Sequence, residues 1–102
     1  MKASLRNAWT TALRSGEYNQ VKSEFENSEG FCCLGVLCKV AGVPTVIGHC
    51  GNWSFVERAI SVPGHDCRLA GMNDHGMTFP EIADWVEANI PVTEADDVKD
   101  TF

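Results

Sequence analysis

The residues of this chain best equipped for chemistry are its three histidines and five cysteines. His49-Cys50, His65-x-Cys67 and His75 fall in an irregular stretch over residues 43–76. Two imidazoles and two thiolates can hold a zinc ion, and alternation would put His65 and Cys67 on one face of an extended segment. The spacing is poor for that purpose. There is no CxxC or HxxxH pair, and adjacent His49 and Cys50 diverge. Loop histidines and a half-buried thiol are the plainer account. His49, Cys50, His65 and Cys67 therefore stand as weak metal candidates, and no cofactor is expected.

The other thiols, Cys32, Cys33 and Cys38, sit in the most apolar run of the chain, residues 31–42. A cysteine nucleophile needs a partner base and partial exposure at an electropositive spot. Cys32, opening a helix, would feel the positive helix end, which lowers a thiol pKa, while its apolar neighbours push the other way. At about 100° per residue the three thiols point in three directions and do not converge on one metal. Buried cysteine as a small hydrophobe is the simple reading. Among carboxylates, Asp74 lies in an expected turn, Glu81 reads as a helix-capping residue and Asp84 as part of a solvated face. Gly35 and Gly42 do not make a phosphate-binding pattern. No catalytic residue is assigned. A small thiol- or metal-dependent enzyme acting on a small molecule, and a zinc-stabilised interaction module, are the alternatives to a binding protein.

Binding chemistry fits the sequence better. Trp53, Phe55 and Arg58 lie in the middle of the chain, and Trp and Arg dominate binding hot spots. Tyr18, Gln20, Asn73, Asp74 and His75 offer hydrogen-bonding side chains in expected turns, where recognition residues commonly sit. The competing account makes Trp53 and Phe55 core residues of a small hairpin.

These residues must be carried by a few elements. The run over residues 31–42 is interrupted only by Lys39, so it should be buried on all sides. It reads as a helix over residues 32–41 closed by Gly42 and Pro44, with a buried strand as the alternative. Gly35 would let a neighbouring backbone approach closely. Residues 4–14 read as an amphipathic helix, with Leu5, Ala8, Trp9, Ala12 and Leu13 on its apolar side and Gly16 at its end. Residues 17–25 could hold a short extended segment, and residues 26–30 are turn-rich. Residues 45–47 and 53–62 lean towards β and suggest a hairpin, and residues 69–72 form a short apolar piece before a turn at 73–76. The last helix carries the strongest signals. Thr78 and Glu81 have capping-box spacing, Pro80 is tolerated in the first turn, and Met77 and Ile82 occupy the staple positions. Phe79, Ile82, Ala83, Val86 and Ile90 form its apolar stripe, and Pro91 stops it.

The expected fold is α+β: a small single domain over residues 1–92 with a buried central helix, two amphipathic helices and a short β-hairpin, then an acidic tail over 93–102. A length of 102 residues leaves no room for two domains, and 44% hydrophobic with 22% charged residues is ordinary for a folded chain. So short a chain has a small core, and homo-oligomerisation is one way to bury more surface. The net charge of −6 gives no general attraction for phosphate backbones or anionic membranes. Direct nucleic-acid binding is disfavoured unless Arg6, Arg14, Arg58 and Arg68 cluster. Signal-peptide features and an apolar run of roughly 20 residues are both lacking, so a cytoplasmic location is expected and a disulfide framework is not.

Three motifs carry a resemblance. They are Leu-Arg-Ser-Gly-Glu-Tyr-x-Gln at residues 13–20, Phe-Cys-Cys-Leu-Gly-Val-Leu-Cys at 31–38, and Met-Asn-Asp-x-Gly-x-Thr-Phe-x-Glu-Ile-Ala-Asp-Trp-Val-Glu at 72–87. In content and order the chain resembles a family of small proteins scattered through bacteriophage and bacterial genomes; residues 43–67 lie outside the likeness. The resemblance implies a phage or prophage origin and brings no activity. Small phage proteins of this kind often act on the host, which suggests an inhibitor of bacterial defence in the host cytoplasm. It would bind a defence protein or sequester a nucleotide signal. The acidic charge favours a protein partner with a basic channel, whereas a nucleotide trap would need arginines and helix N-termini concentrated at one site.

Overall fold

Helix α2 (Cys33–Ala41) is the centre of the molecule, and Cys33 to Cys38 are all buried. The computed structural model describes residues 1–22, 24–43, 53–60 and 64–92, with the side chains of 53 and 54 outside that description. Ahead of α2 come α1 (Ala3–Ser15) and a two-stranded antiparallel hairpin of β1 (Glu26–Asn27) and β2 (Gly30–Phe31). Helices α3 (Trp53–Ile60), α4 (His65–Asp74) and α5 (Phe79–Asn89) follow. α1 packs on α2 and α5, and α4 packs on α2, α3 and α5. The result is a small single α+β domain.

Local chemistry explains most of these elements. α1 buries Leu5, Trp9 and Leu13, one residue per turn, and ends at Gly16 with φ 77°. The Trp9 indole Nε1–H donates to the Cys33 carbonyl at 2.9 Å, fixing α1 against the start of α2. α2 ends at Gly42, φ 74°, where the Val43 N–H returns to the Cys38 carbonyl at 2.9 Å. Gly35 faces the backbone of Phe25. A Cβ there would stand 2.7 Å from the Phe25 carbonyl carbon, so the close approach expected of this glycine is present. In α5 the capping box is complete: Thr78 Oγ1 accepts from the Glu81 N–H, and Glu81 Oε1 accepts from the Thr78 N–H at 3.0 Å. Phe79, Ile82, Ala83 and Val86 are buried in α5, and Ile90 at its C-cap is buried too.

Two expectations are corrected. Residues 53–60 form helix, not the second strand of a hairpin. Val56 and Ile60 are fully buried, while Phe55 and Ala59 pack beside them, a spacing of one and four that is helical. The aromatic and β-branched content that suggested a strand is outweighed by burial against α2 and α4. Residues 45–47 lie outside the described residues. The hairpin stands earlier, where a connector was expected: Asn27 Oδ1 accepts from the N–H groups of Glu29 and Gly30 and closes the turn. The second correction concerns α4, expected as a short apolar piece before a turn. Its inner face mixes Leu69 with Asp66 and Asn73, so no apolar stripe marks it as a helix. The acidic tail over 93–102 lies outside the described residues.

Candidate functional site

Among the described residues, the one polar residue with no solvent exposure is Asn73, in the last turn of α4. Its Oδ1 accepts from the Cys33 backbone N–H at 3.2 Å and from Gln20 Nε2 at 2.9 Å. Its Nδ2 donates to the Val21 carbonyl at 2.7 Å. Three segments distant in sequence meet on one amide. The Cys33 N–H belongs to the first turn of α2, where backbone donors lack helical partners, so Asn73 caps α2 from another helix. Gln20 Nε2 also donates to the Met77 carbonyl at 2.7 Å, so Gln20 is bonded to both ends of the turn over residues 73–77.

This junction gathers several of the residues singled out for binding. The backbone on either side of Gln20 pairs with Phe31 of β2, the Val21 N–H donating to the Phe31 carbonyl and the Phe31 N–H to the Asn19 carbonyl, each at 2.8 Å. The Tyr18 ring stands edge-on to Phe31 at 5.4 Å. Asp74 and His75 are exposed in the turn that Gln20 grips. Tyr18, Gln20, Asn73, Asp74 and His75 thus form one neighbourhood, with Asn73 inside it as the support. Phe55 and Arg58 belong to a different element, α3. Phe55 is half-buried against the core and Arg58 is exposed. Trp53 opens α3, and the role read for its side chain lies outside the described residues. The inward role of Asn73 was missed. Its one sequence signal is position: Leu69 and Asn73 are four apart, so Asn73 occupies a core place on α4.

The metal candidates separate. On helix α4, His65 and Cys67 are two residues apart and point to opposite sides, not to the shared face an extended segment would give. The His65 ring stacks edge-on against Trp85 at 5.1 Å, and Cys67 is exposed. Among the described residues no three His, Cys, Asp or Glu side chains are placed to hold a metal ion. His49 and Cys50 lie outside the described residues.

The central thiols are packed away. Cys32, Cys33 and Cys38 are buried and free of disulfides. Cys32 caps α2, its sulfur accepting from the Gly35 N–H at 3.4 Å. Burial, reinforced by neighbouring Cys32, pushes the Cys33 thiol well above the usual range and the Cys38 thiol up to about 12. Both remain protonated near neutrality and neither is a nucleophile there.

The arginines are dispersed. Arg6 Nη1 donates to the Ile90 carbonyl at 2.8 Å, at the C-terminus of α5. Arg14 reaches across from α1 to Glu87 at 2.7 and 2.9 Å and to Asp84 at 2.7 Å. Its hydrogen bonds hold the Glu87 carboxyl below its ordinary range. Arg58 and Arg68 are exposed on α3 and α4. Arg6 and Arg14 are therefore engaged by other groups of the chain.

A family described as a domain of unknown function (DUF8296) matches residues 1–43, the span from α1 through the hairpin to the end of α2. No curated protein and no solved structure matches the chain. Among the described residues no helix is long and apolar enough to cross a membrane.

Proposed function

We propose that this protein is a non-enzymatic phage accessory protein that inhibits a bacterial defence system in the host cytoplasm by binding a protein of that system. The phage origin and the defence target rest on the resemblance carried by residues 13–20, 31–38 and 72–87. The observation that carries the binding reading is how the reactive groups are used. Cys32, Cys33 and Cys38 of the central run are buried, Cys32 caps a helix, and burial keeps the thiols of Cys33 and Cys38 protonated, so these residues serve the fold. Hydrogen-bonding groups of the kind used in recognition are gathered on a supported turn at Gln20, Asp74 and His75.

A protein target is favoured over a nucleotide signal. A phosphate trap needs converging cations, and Arg6 and Arg14 are already engaged with Ile90, Asp84 and Glu87. The charge of −6 suits a basic partner surface. The test is gentle purification from a bacterial host, native mass spectrometry of the product, and affinity capture from lysate. Stoichiometric capture of a defence protein whose activity falls on binding supports the reading. A retained nucleotide-sized mass, or turnover of a small molecule, overturns it.

A further inference from the structure

The side-chain amides at the junction have their polarity set by the main chain. The Cys33 N–H can only donate, so it selects the oxygen of Asn73; the Val21 carbonyl can only accept, so it selects the nitrogen. The Met77 carbonyl likewise requires the nitrogen of Gln20, and the oriented Asn73 Oδ1 takes the other Gln20 N–H. Both donors of Gln20 are thereby used internally. Its Oε1 has no hydrogen-bond partner among the described residues, and Gln20 itself is solvent-exposed. Beside it α4 ends, and the carbonyl end of a helix favours positive charge. That last turn carries Asp74 and no basic residue.

We propose that Gln20, with the turn over residues 73–77 to which it is bonded, forms an acceptor site for an arginine or lysine side chain of a basic protein partner. The proposal rests on the protein-binding reading above and names the chemistry of that partner at one place. A neutral amide that can turn over accepts or donates as required; this one is held as an acceptor. A guanidinium or ammonium group supplies the donor, and the helix end supplies the favourable field.

The test is a titration of the full chain, labelled for side-chain and backbone amide NMR, with capped hexa-arginine and with capped hexa-glutamate at matched ionic strength. Hexa-arginine is expected to shift the side-chain amides of Gln20 and Asn73 and the backbone of residues 74–77, and hexa-glutamate is not. Gln20→Lys keeps donors facing Met77 and Asn73 while removing the outward acceptor, and should weaken hexa-arginine binding roughly tenfold, the loss of one charge-assisted hydrogen bond. Gln20→Met, checked for folding by its melting temperature, should weaken it to a similar degree. Shifts confined to Glu81, Asp84 and Glu87 on α5, equal binding by folded Gln20→Lys, or no binding overturn the assignment. If a captured partner binds the Gln20→Lys protein unchanged, this site is wrong and the proposed function stands. If purification returns a nucleotide instead of a protein, the proposed function itself falls.

Discussion

Asn73 Oδ1 lies 3.2 Å from the backbone nitrogen of Cys33, forty residues earlier, and this contact ties the end of α4 to the beginning of α2. The same side chain holds Val21 and Gln20. Replacing Asn73 with Leu keeps its approximate size and leaves the Cys33 N–H and the Val21 carbonyl without this partner. Each polar group so orphaned costs about 1 to 3 kcal/mol, so Asn73→Leu should lower unfolding free energy by about 2 to 6 kcal/mol in urea denaturation. A loss below about 1 kcal/mol would mean that water replaces the amide.

Two glycine-to-alanine changes should move stability in opposite directions. Both Gly35 and Gly71 are in helices, where alanine is intrinsically better by about 1 kcal/mol. At Gly71 nothing stands within 4 Å of an added Cβ, and Gly71→Ala should stabilise by about 0.5 to 1 kcal/mol. At Gly35 the Cβ meets the Phe25 backbone, which is held there by the Cys32 N–H at 3.1 Å. Gly35→Ala should therefore destabilise by about 2 kcal/mol or more, the overpacking penalty exceeding the propensity gain. Thermal melts of the pair decide it, and equal shifts would refute the close approach.

Thr78→Ala removes the acceptor for the Glu81 N–H and should cost about 0.5 to 2 kcal/mol. Thr78→Ser keeps the hydroxyl and should cost much less. An alanine variant with the stability of the parent would place the start of α5 elsewhere.

Acid should loosen the α1–α5 clasp. Arg14 holds the Glu87 carboxyl below its ordinary value of 4.5, and hydrogen bonds from Thr78 do the same for Glu81. A carboxyl depressed in the folded state contributes stability above its unfolded pKa, and that contribution is lost as pH falls through the folded pKa. The melting temperature should therefore fall as pH drops below about 4.5. Arg14→Gln should flatten that fall, and added salt should reduce the difference because the groups are exposed. Parallel curves for the two proteins would show the clasp to be energetically idle.

Thiol labelling should distinguish the described cysteines. Cys67 is exposed, whereas Cys32, Cys33 and Cys38 are buried. A maleimide reagent with peptide mass analysis should modify Cys67 in the native protein and reach the other three only on unfolding. Rapid native labelling of Cys33 or Cys38 would overturn their placement in the core.

What the sequence determined by itself was written in short range. The capping pair Thr78 and Glu81, the stop at Gly42, the apolar spacing of Leu5, Trp9 and Leu13, and the charge-poor run around α2 all act within one or two helical turns. Each is legible because its partners are sequence neighbours. α3 and α4 were not legible in this way. Residues 53–60 have β-like composition and become helical through the burial of Val56 and Ile60, and α4 buries Asp66 and Asn73 where an apolar stripe would be sought.

At the candidate site, Tyr18, Gln20, Asn73, Asp74 and His75 stood out as polar residues near turns. The one local mark of the residue turned inward, the four-residue spacing of Asn73 from Leu69, has meaning only once α4 is known to be a helix. Gln20 and Asn73 are 53 residues apart and meet only because α4 packs across the start of α2. That packing, through the main-chain groups of Val21, Cys33 and Met77, decides which amide is buried and which way each one points. A sequence specifies that an amide can both donate and accept; its surroundings in three dimensions decide which of the two it offers.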